Sequence, residues 1–272
     1  MDILEYYELK LHPFSNSPDE RFYYNSPQHE KTLFKLLHAI DNKRGLAIVS
    51  GDIGAGKTTI SRRLLDFLLS NEKYEPALLV IIHSEITPIW LLKKIAMQLG
   101  IEDLPELKVD IISVMYKKLI ELNDNNKTVV IIIDEANMLK SKEIMEEIRG
   151  ILNIESENNH LITFILFGLK EMEESLKLDL PLYERIAIRC LIDPLNHEST
   201  IGYINHRLKV SGRTTPIFTD NAIEMIYRYS KGKPRLINIL ADNALLEGFL
   251  TKKQIIDNKI IKQILEDFGM GS

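Results

Sequence analysis

The chain has one cysteine, Cys190, in 272 residues. No disulfide can form within it, which suits a reducing compartment and excludes a disulfide-stapled secreted scaffold. No apolar run approaches the roughly 20 residues needed to span a bilayer. The start, Met1-Asp2-Ile3-Leu4-Glu5, is acidic where a signal peptide is basic and then apolar. A cytoplasmic protein without membrane insertion is therefore expected. Charge of one sign is not in excess: 34 Lys and Arg against 39 Asp and Glu give a formal net charge of -5, so no general field for polyanions surrounds the molecule. Internal repeats, low-complexity tracts, zinc fingers and basic zippers are also lacking. What remains, 45% hydrophobic and 27% charged, is the composition of one sizeable domain with a smaller companion.

Against that ordinary background one stretch stands out. Gly51-Asp52-Ile53-Gly54-Ala55-Gly56-Lys57-Thr58 fits the phosphate-cradling pattern G-x-x-x-x-G-K-[S/T], and its context agrees. The apolar run Leu46-Ala47-Ile48-Val49 before it reads as a buried strand, and 59–69 after it places Ile60, Leu64 and Leu68 on one helical stripe. The glycines let backbone N–H groups turn inward around phosphates, Lys57 supplies a cation, and the hydroxyl of Thr58 is suited to Mg²⁺. Thr59 completes the expected ATP-binding set, 51–59.

A second run, Val129-Val130-Ile131-Ile132-Ile133-Asp134-Glu135, is too apolar for a one-faced strand and belongs in a parallel sheet covered on both faces. Ligands of open α/β sheets bind beyond the carboxyl ends of the strands, where Asp134 and Glu135 would meet the phosphate loop. Asp134 is expected to hold Mg²⁺ through its hydration shell, and Glu135 to orient the water that attacks the γ-phosphate. ATP and Mg²⁺ are the cofactors this pairing calls for, and ATP hydrolysis is the activity.

Residues 1–25 are rich in Tyr, Phe and Pro without a regular period and read as an arm. Ser26-Pro27 starts a helix with Leu33, Leu36, Leu37 and Ile40 inward. Strands are expected near 77–83 and 161–167 and helices near 88–99, 110–122 and from Ser141. Beyond 198 only helices appear, at 198–210, 220–229, 234–249 and 257–268. The expected division is an arm over 1–25, a nucleotide-binding core over 26–195 and a helical lid over 196–272. A five-stranded parallel αβα sandwich followed by a small all-helical domain points to the AAA+ class of phosphate-loop ATPases. In that class the lid gives an arginine to the nucleotide. Pro234 opens a helix in Gly232-Lys233-Pro234-Arg235, so Arg235 sits in a first turn where the macrodipole disfavours a cation unless an anion meets it. Such ATPases also complete a neighbour's site from the region after the last core strand. Here that region is Leu182-Tyr183-Glu184-Arg185-Ile186-Ala187-Ile188-Arg189-Cys190, with Arg189 as the candidate finger and Arg185 second.

These landmarks, with Tyr7-Glu8-Leu9-Lys10, Pro13-Phe14, Pro18-Asp19, 21–29 around Tyr24, Asp134-Glu135-Ala136-Asn137 and Asn238, resemble the ExeA/GspA-type AAA+ ATPases along nearly the whole chain. MshM of pilus assembly and the TnsC-like transposition ATPases are related to that family. The resemblance implies that the arm and the Tyr24 region flank the nucleotide base, that Arg235 is the lid's sensor arginine, and that the ATPase works as a homo-oligomer, ring or filament. Two departures are visible. Leu169 follows Gly168 where the family carries Gln, and the sequence ends without the membrane helix and wall-binding domain of the secretion members. Two partner sets stay open: secretion or type IV pilus assembly proteins, or duplex DNA and a transposase. For the second, Lys93, Lys94, Lys117, Lys118, Lys140 and Lys142 are the candidate phosphate contacts.

Overall fold

The structure, a computed structural model, describes residues 2–17, 19–156 and 159–269. Pro18, one of the landmarks above, lies outside the described residues. The described residues divide into two compact units, one from 27–53 and 57–192, the other from 1–26, 54–56 and 193–272.

The first unit is built on five parallel strands: β1 (Leu46–Gly51), β2 (Tyr74–Val80), β3 (Thr128–Asp134), β4 (Ile162–Gly168) and β5 (Ile186–Ile192). Their order in the sheet is β2-β3-β4-β1-β5. Every residue of β1, β3 and β4 is buried, as the unbroken apolar runs require of central strands covered on both faces. Ile131, Ile133, Phe164 and Leu166 share one core with α4 (Pro88–Gln98), α5 (Lys108–Asp124) and α6 (Lys142–Leu152). Helices α2 (Pro27–Asp41) and α3 (Lys57–Leu69) pack on the sheet as well. Each fully buried Ile or Phe of this kind contributes roughly 1.5–3 kcal/mol. Ser141 caps α6 by accepting the Ile144 N–H at 3.3 Å, which explains why the Ile144, Ile148, Ile151 stripe starts where it does.

The fifth strand corrects one expectation. Arg189 does not follow the last core strand; it lies within it. The strand β5 pairs with β1 in parallel, Ile48 opposite Arg189 and Val49 opposite Cys190. Its alternation of buried Ile186, Cys190 and Ile192 with exposed Ala187, Arg189 and Leu191 has the period of an end strand rather than a central one. In α2 the inward stripe is His29, Thr32, Leu36, Ala39 and Ile40, and the expected Leu33 and Leu37 are half-buried at its flanks.

The second unit holds α9 (His197–Val210), α10 (Asp220–Ser230), α11 (Pro234–Leu250) and α12 (Asn258–Asp267), which share one apolar core with Tyr7, Leu9 and Phe14 of the N-terminal arm, itself opened by α1 (Ile3–Tyr6). The arm is pinned by polar bonds as well. Tyr7 Oη donates to the Lys253 carbonyl at 3.0 Å, and burial pushes its phenol pKa up. The buried guanidinium of Arg207 donates to the Pro13 carbonyl and, at 2.9 Å, to the Ser15 carbonyl, with the Phe22 ring 4.7 Å from its centre. A buried cation with carbonyl and ring partners avoids the penalty of an unpaired charge. Tyr24 sits against Gly202 and the rings of Tyr203 and His206.

Candidate nucleotide site

Residues 52–56 carry the chain from the end of β1 to the first residue of α3. The turn uses Gly54 and Gly56 at φ of 76° and 99°, which glycine adopts without the steric cost other residues meet. A Cβ at Gly54 would also come within 3.1 Å of the Arg235 Cβ. Lys57 opens α3, and only 7% of its surface is exposed. Its Nζ donates to the carbonyls of Gly51 at 3.0 Å and Asp52 at 2.9 Å. Burial holds this ammonium below the ordinary lysine range, opposed by the carboxylates of Glu135, Asp134, Asp52 and Glu171. A nearly buried cation at the first turn of a helix, where backbone N–H groups lack intrahelical acceptors, is a receptor for an anion. Thr58 and Thr59 are exposed in that same turn.

The end of β3 is fastened to this helix. Asp134 is 2% exposed. Its Oδ1 accepts the Glu135 N–H at 3.0 Å, and its Oδ2 lies 3.1 Å from the hydroxyl of Ser61, one turn beyond Lys57 and Thr58. That hydroxyl is also 3.0 Å from the Thr58 carbonyl. Glu135 then breaks the strand with φ 57°, ψ 35°, a left-handed conformation that costs a non-glycine residue about 1–3 kcal/mol and is held only where its surroundings enforce it. The strain falls on the carboxylate that the sequence marks for chemistry. The donor set suits a Mg²⁺-bound phosphate chain: an ammonium and helix N–H groups for the phosphates, with a hydroxyl and a buried carboxylate for a hard cation.

Pro234 opens α11 and Arg235 is exposed in its first turn. Arg185 is exposed between α8 (Leu180–Glu184) and β5 and donates to the Asn153 side chain. Arg189 donates to the Tyr183 carbonyl at 3.2 Å and lies over the Tyr183 ring, 4.6 Å from its centre. A cavity of about 520 Å³ lined by Leu92, Met115 and Glu147 contains none of these residues.

Three residues that the sequence did not assign to the site belong to its supports. Ser61 carries a signal of a kind, a hydroxyl four residues after the lysine on the face of α3 turned toward the sheet. Asn137 accepts the Leu169 N–H at 3.0 Å and so ties the turn after β4 to the turn after β3. Lys170 forms an ion pair with Asp52 at 3.1 Å, a contact that no sequence pattern announces.

Similarity to known proteins agrees with this geometry. "General secretion pathway protein A" of Aeromonas hydrophila is 32% identical over 249 residues, which is 90% of this chain and 44% of that protein. The chain thus spans less than half the length of that relative. Among solved structures, the ORC2 protein of Aeropyrum pernix in ADPNP-ADP complexes superposes with a TM-score of 0.66 at 15% identity, over 94% of this chain and 71% of that one. Cdc6p of Pyrobaculum aerophilum superposes with a TM-score of 0.70 at 15% identity, over 94% and 70%. At these identities the two structures speak for the fold. Among the described residues no helix is long and apolar enough to cross a membrane. Residues 40–176, which run from the end of α2 through the phosphate loop and the Asp134-Glu135 pair to the end of α7 (Met172–Leu176), match the AAA domain, and the chain belongs to that family of phosphate-loop ATPases.

Proposed function

We propose that this chain is a Mg²⁺-dependent ATPase that assembles with copies of itself and couples its nucleotide state to a protein partner of a secretion or pilus assembly pathway. The observation that carries the reading is the nearly buried Lys57 ammonium at the first residue of α3, under the influence of the two carboxylates at the end of β3. In this reading Lys57 and the N–H groups of 52–58 hold the phosphates. Thr58 and Asp134 hold Mg²⁺, which supplies neutralisation of phosphate charge. Glu135 orients a water and takes its proton as the water oxygen bonds to the γ-phosphorus, and ADP leaves with the bridging oxygen. Arg235 contacts the phosphates from the first turn of α11, and Arg189 or Arg185 serves the site of a neighbouring copy. The secretion partner rests on the relative's name and its 32% identity.

Ser61 acts through Asp134 as a positioning residue. Ser61→Ala is expected to raise the Mg²⁺ concentration needed for half-maximal turnover by roughly tenfold or more, the usual effect of losing a partner that orients a metal-binding group, while nucleotide affinity without Mg²⁺ stays constant. A Mg²⁺ titration of hydrolysis beside nucleotide binding in EDTA checks this.

The function itself is tested by ATP hydrolysis with and without Mg²⁺ across protein concentrations, together with fluorescence anisotropy of a labelled DNA duplex across a salt series with ATP, ADP or no nucleotide. Mg²⁺-dependent hydrolysis that rises per subunit with concentration, with no ATP-dependent DNA binding, is expected. ATP-dependent binding whose affinity falls steeply and log-linearly with salt would replace the protein partner by duplex DNA.

A further inference from the structure

The turn that follows β4 reaches into the phosphate loop through a lysine. In the sheet, Ser50 of β1 stands opposite Gly168 of β4, so the chain leaves both strands side by side, toward Asp52 on one and Lys170 on the other. The turn at Gly168 is tightly specified. A Cβ there would come within 2.8 Å of the Met172 sulfur and 3.0 Å of the Asn137 nitrogen, and the next N–H, of Leu169, is held by the Asn137 side chain. Leu169 has no polar group to offer a ligand. Lys170 does: its Nζ lies 3.1 Å from Asp52 Oδ1. The carbonyl of that same Asp52 accepts from the Nζ of Lys57, so two lysines, one opening α3 and one from the turn after β4, converge on one residue of the loop.

We propose that Lys170 is a nucleotide-state latch. Without a γ-phosphate its ammonium rests on the Asp52 carboxylate, and with ATP in the loop it moves to the γ-phosphate and releases Asp52. The inference rests on the ATP-binding reading above and adds the group that distinguishes ATP from ADP. The energetics favour such a transfer. The Lys170 and Asp52 side chains are 57% and 39% exposed, and ion pairs of that exposure contribute little to stability. A terminal phosphate bears more charge than a carboxylate and offers three acceptor oxygens to a lysine whose flexible four-carbon stem can follow it. ADP lacks that phosphate, so the ammonium stays on Asp52.

The test measures equilibrium affinity rather than turnover. Wild type, Lys170→Ala, Lys170→Arg and Asp52→Asn are titrated with ADP and with a non-hydrolysable ATP analogue, both with Mg²⁺, by competition against a fluorescent nucleotide. Loss of one charge-assisted contact predicts that Lys170→Ala binds the ATP analogue about tenfold or more weakly, with ADP affinity changed less than about twofold on the same reasoning. Lys170→Arg should keep most of the preference for the ATP analogue. Asp52→Asn, which removes the carboxylate that competes for the lysine, should raise the preference for the ATP analogue over ADP. A parallel loss of both nucleotides in Lys170→Ala, or no loss of either, would overturn the latch while leaving the ATP site intact. Failure of wild type to bind either nucleotide would overturn the ATP-binding reading itself and the latch with it.

Discussion

Lys57→Ala is expected to lose ATP affinity on the order of a hundredfold, because it removes the charge-assisted bonds of a desolvated ammonium to phosphate. Glu135→Gln is expected to bind ATP as wild type does and to hydrolyse it about 10²–10⁴ times more slowly, the range for loss of a positioned base. The two substitutions therefore separate binding from chemistry within one site. Titration of a fluorescent nucleotide and steady-state phosphate release read the two effects. If Glu135→Gln turns over at the wild-type rate, Glu135 is not the base. The pH dependence has a definite sign. Phosphates favour the charged lysine, and burial holds the Lys57 pKa below the ordinary lysine range, so binding is complete below that depressed value and weakens as pH rises through it. The decline should begin at lower pH than for an ordinary lysine near about 10.4. In Lys57→Ala that component of the pH dependence should vanish.

The fold was legible where chemistry forces a unique pattern. The runs 46–49, 129–134 and 161–167 read as apolar strands, 129–134 as one of a parallel sheet covered on both faces, and all three are buried throughout. The helices of the second unit were legible through the Gly and Pro signals between them, Pro234 above all, and the structure adds the Thr219 cap ahead of Asp220 and the Asp257 cap ahead of Asn258. The end strand β5 was harder to locate, although a fifth strand was expected. Its alternation leaves no continuous apolar run and it follows two short helices, so it read as a segment after the sheet. The grouping of the arm with α9–α12 rests on long-range contacts, among them those of Arg207, a charged residue on a helix whose partners are carbonyls 192 and 194 positions away in the chain. No local period encodes such a contact. The site shows the same contrast. The phosphate loop and Asp134-Glu135 were visible because a phosphate imposes backbone spacing on its receptor, whereas the roles of Ser61, Asn137 and Lys170 arise from strand register and appear only once β1, β3 and β4 lie side by side.

That register also frames the last expected result. Arg189 occupies the sheet's end strand, exposed, with its guanidinium stacked on Tyr183 and with Leu191, 47% exposed, two residues further along. An exposed guanidinium held in one orientation beside an exposed apolar residue on an end strand is suited to meet another copy of the chain. If it completes that copy's site, Arg189→Ala should bind ATP normally and hydrolyse it about 10³-fold more slowly or worse, the scale reported for a transition-state arginine. Glu135→Gln subunits keep the arginine, and Arg189→Ala subunits keep the base. In a head-to-tail assembly an equal mixture then places an intact base opposite an intact arginine at about one interface in four. The mixture should recover roughly that fraction of wild-type turnover, where each variant alone has almost none. The same mixing with Arg185→Ala decides between the two arginines. Arg185 is already committed to the Asn153 side chain, so its removal should leave turnover largely intact. Two affinity tags, one on each variant, establish that the subunits co-assemble. Co-assembly without any recovered turnover would rule out Arg189 as a residue acting across the interface.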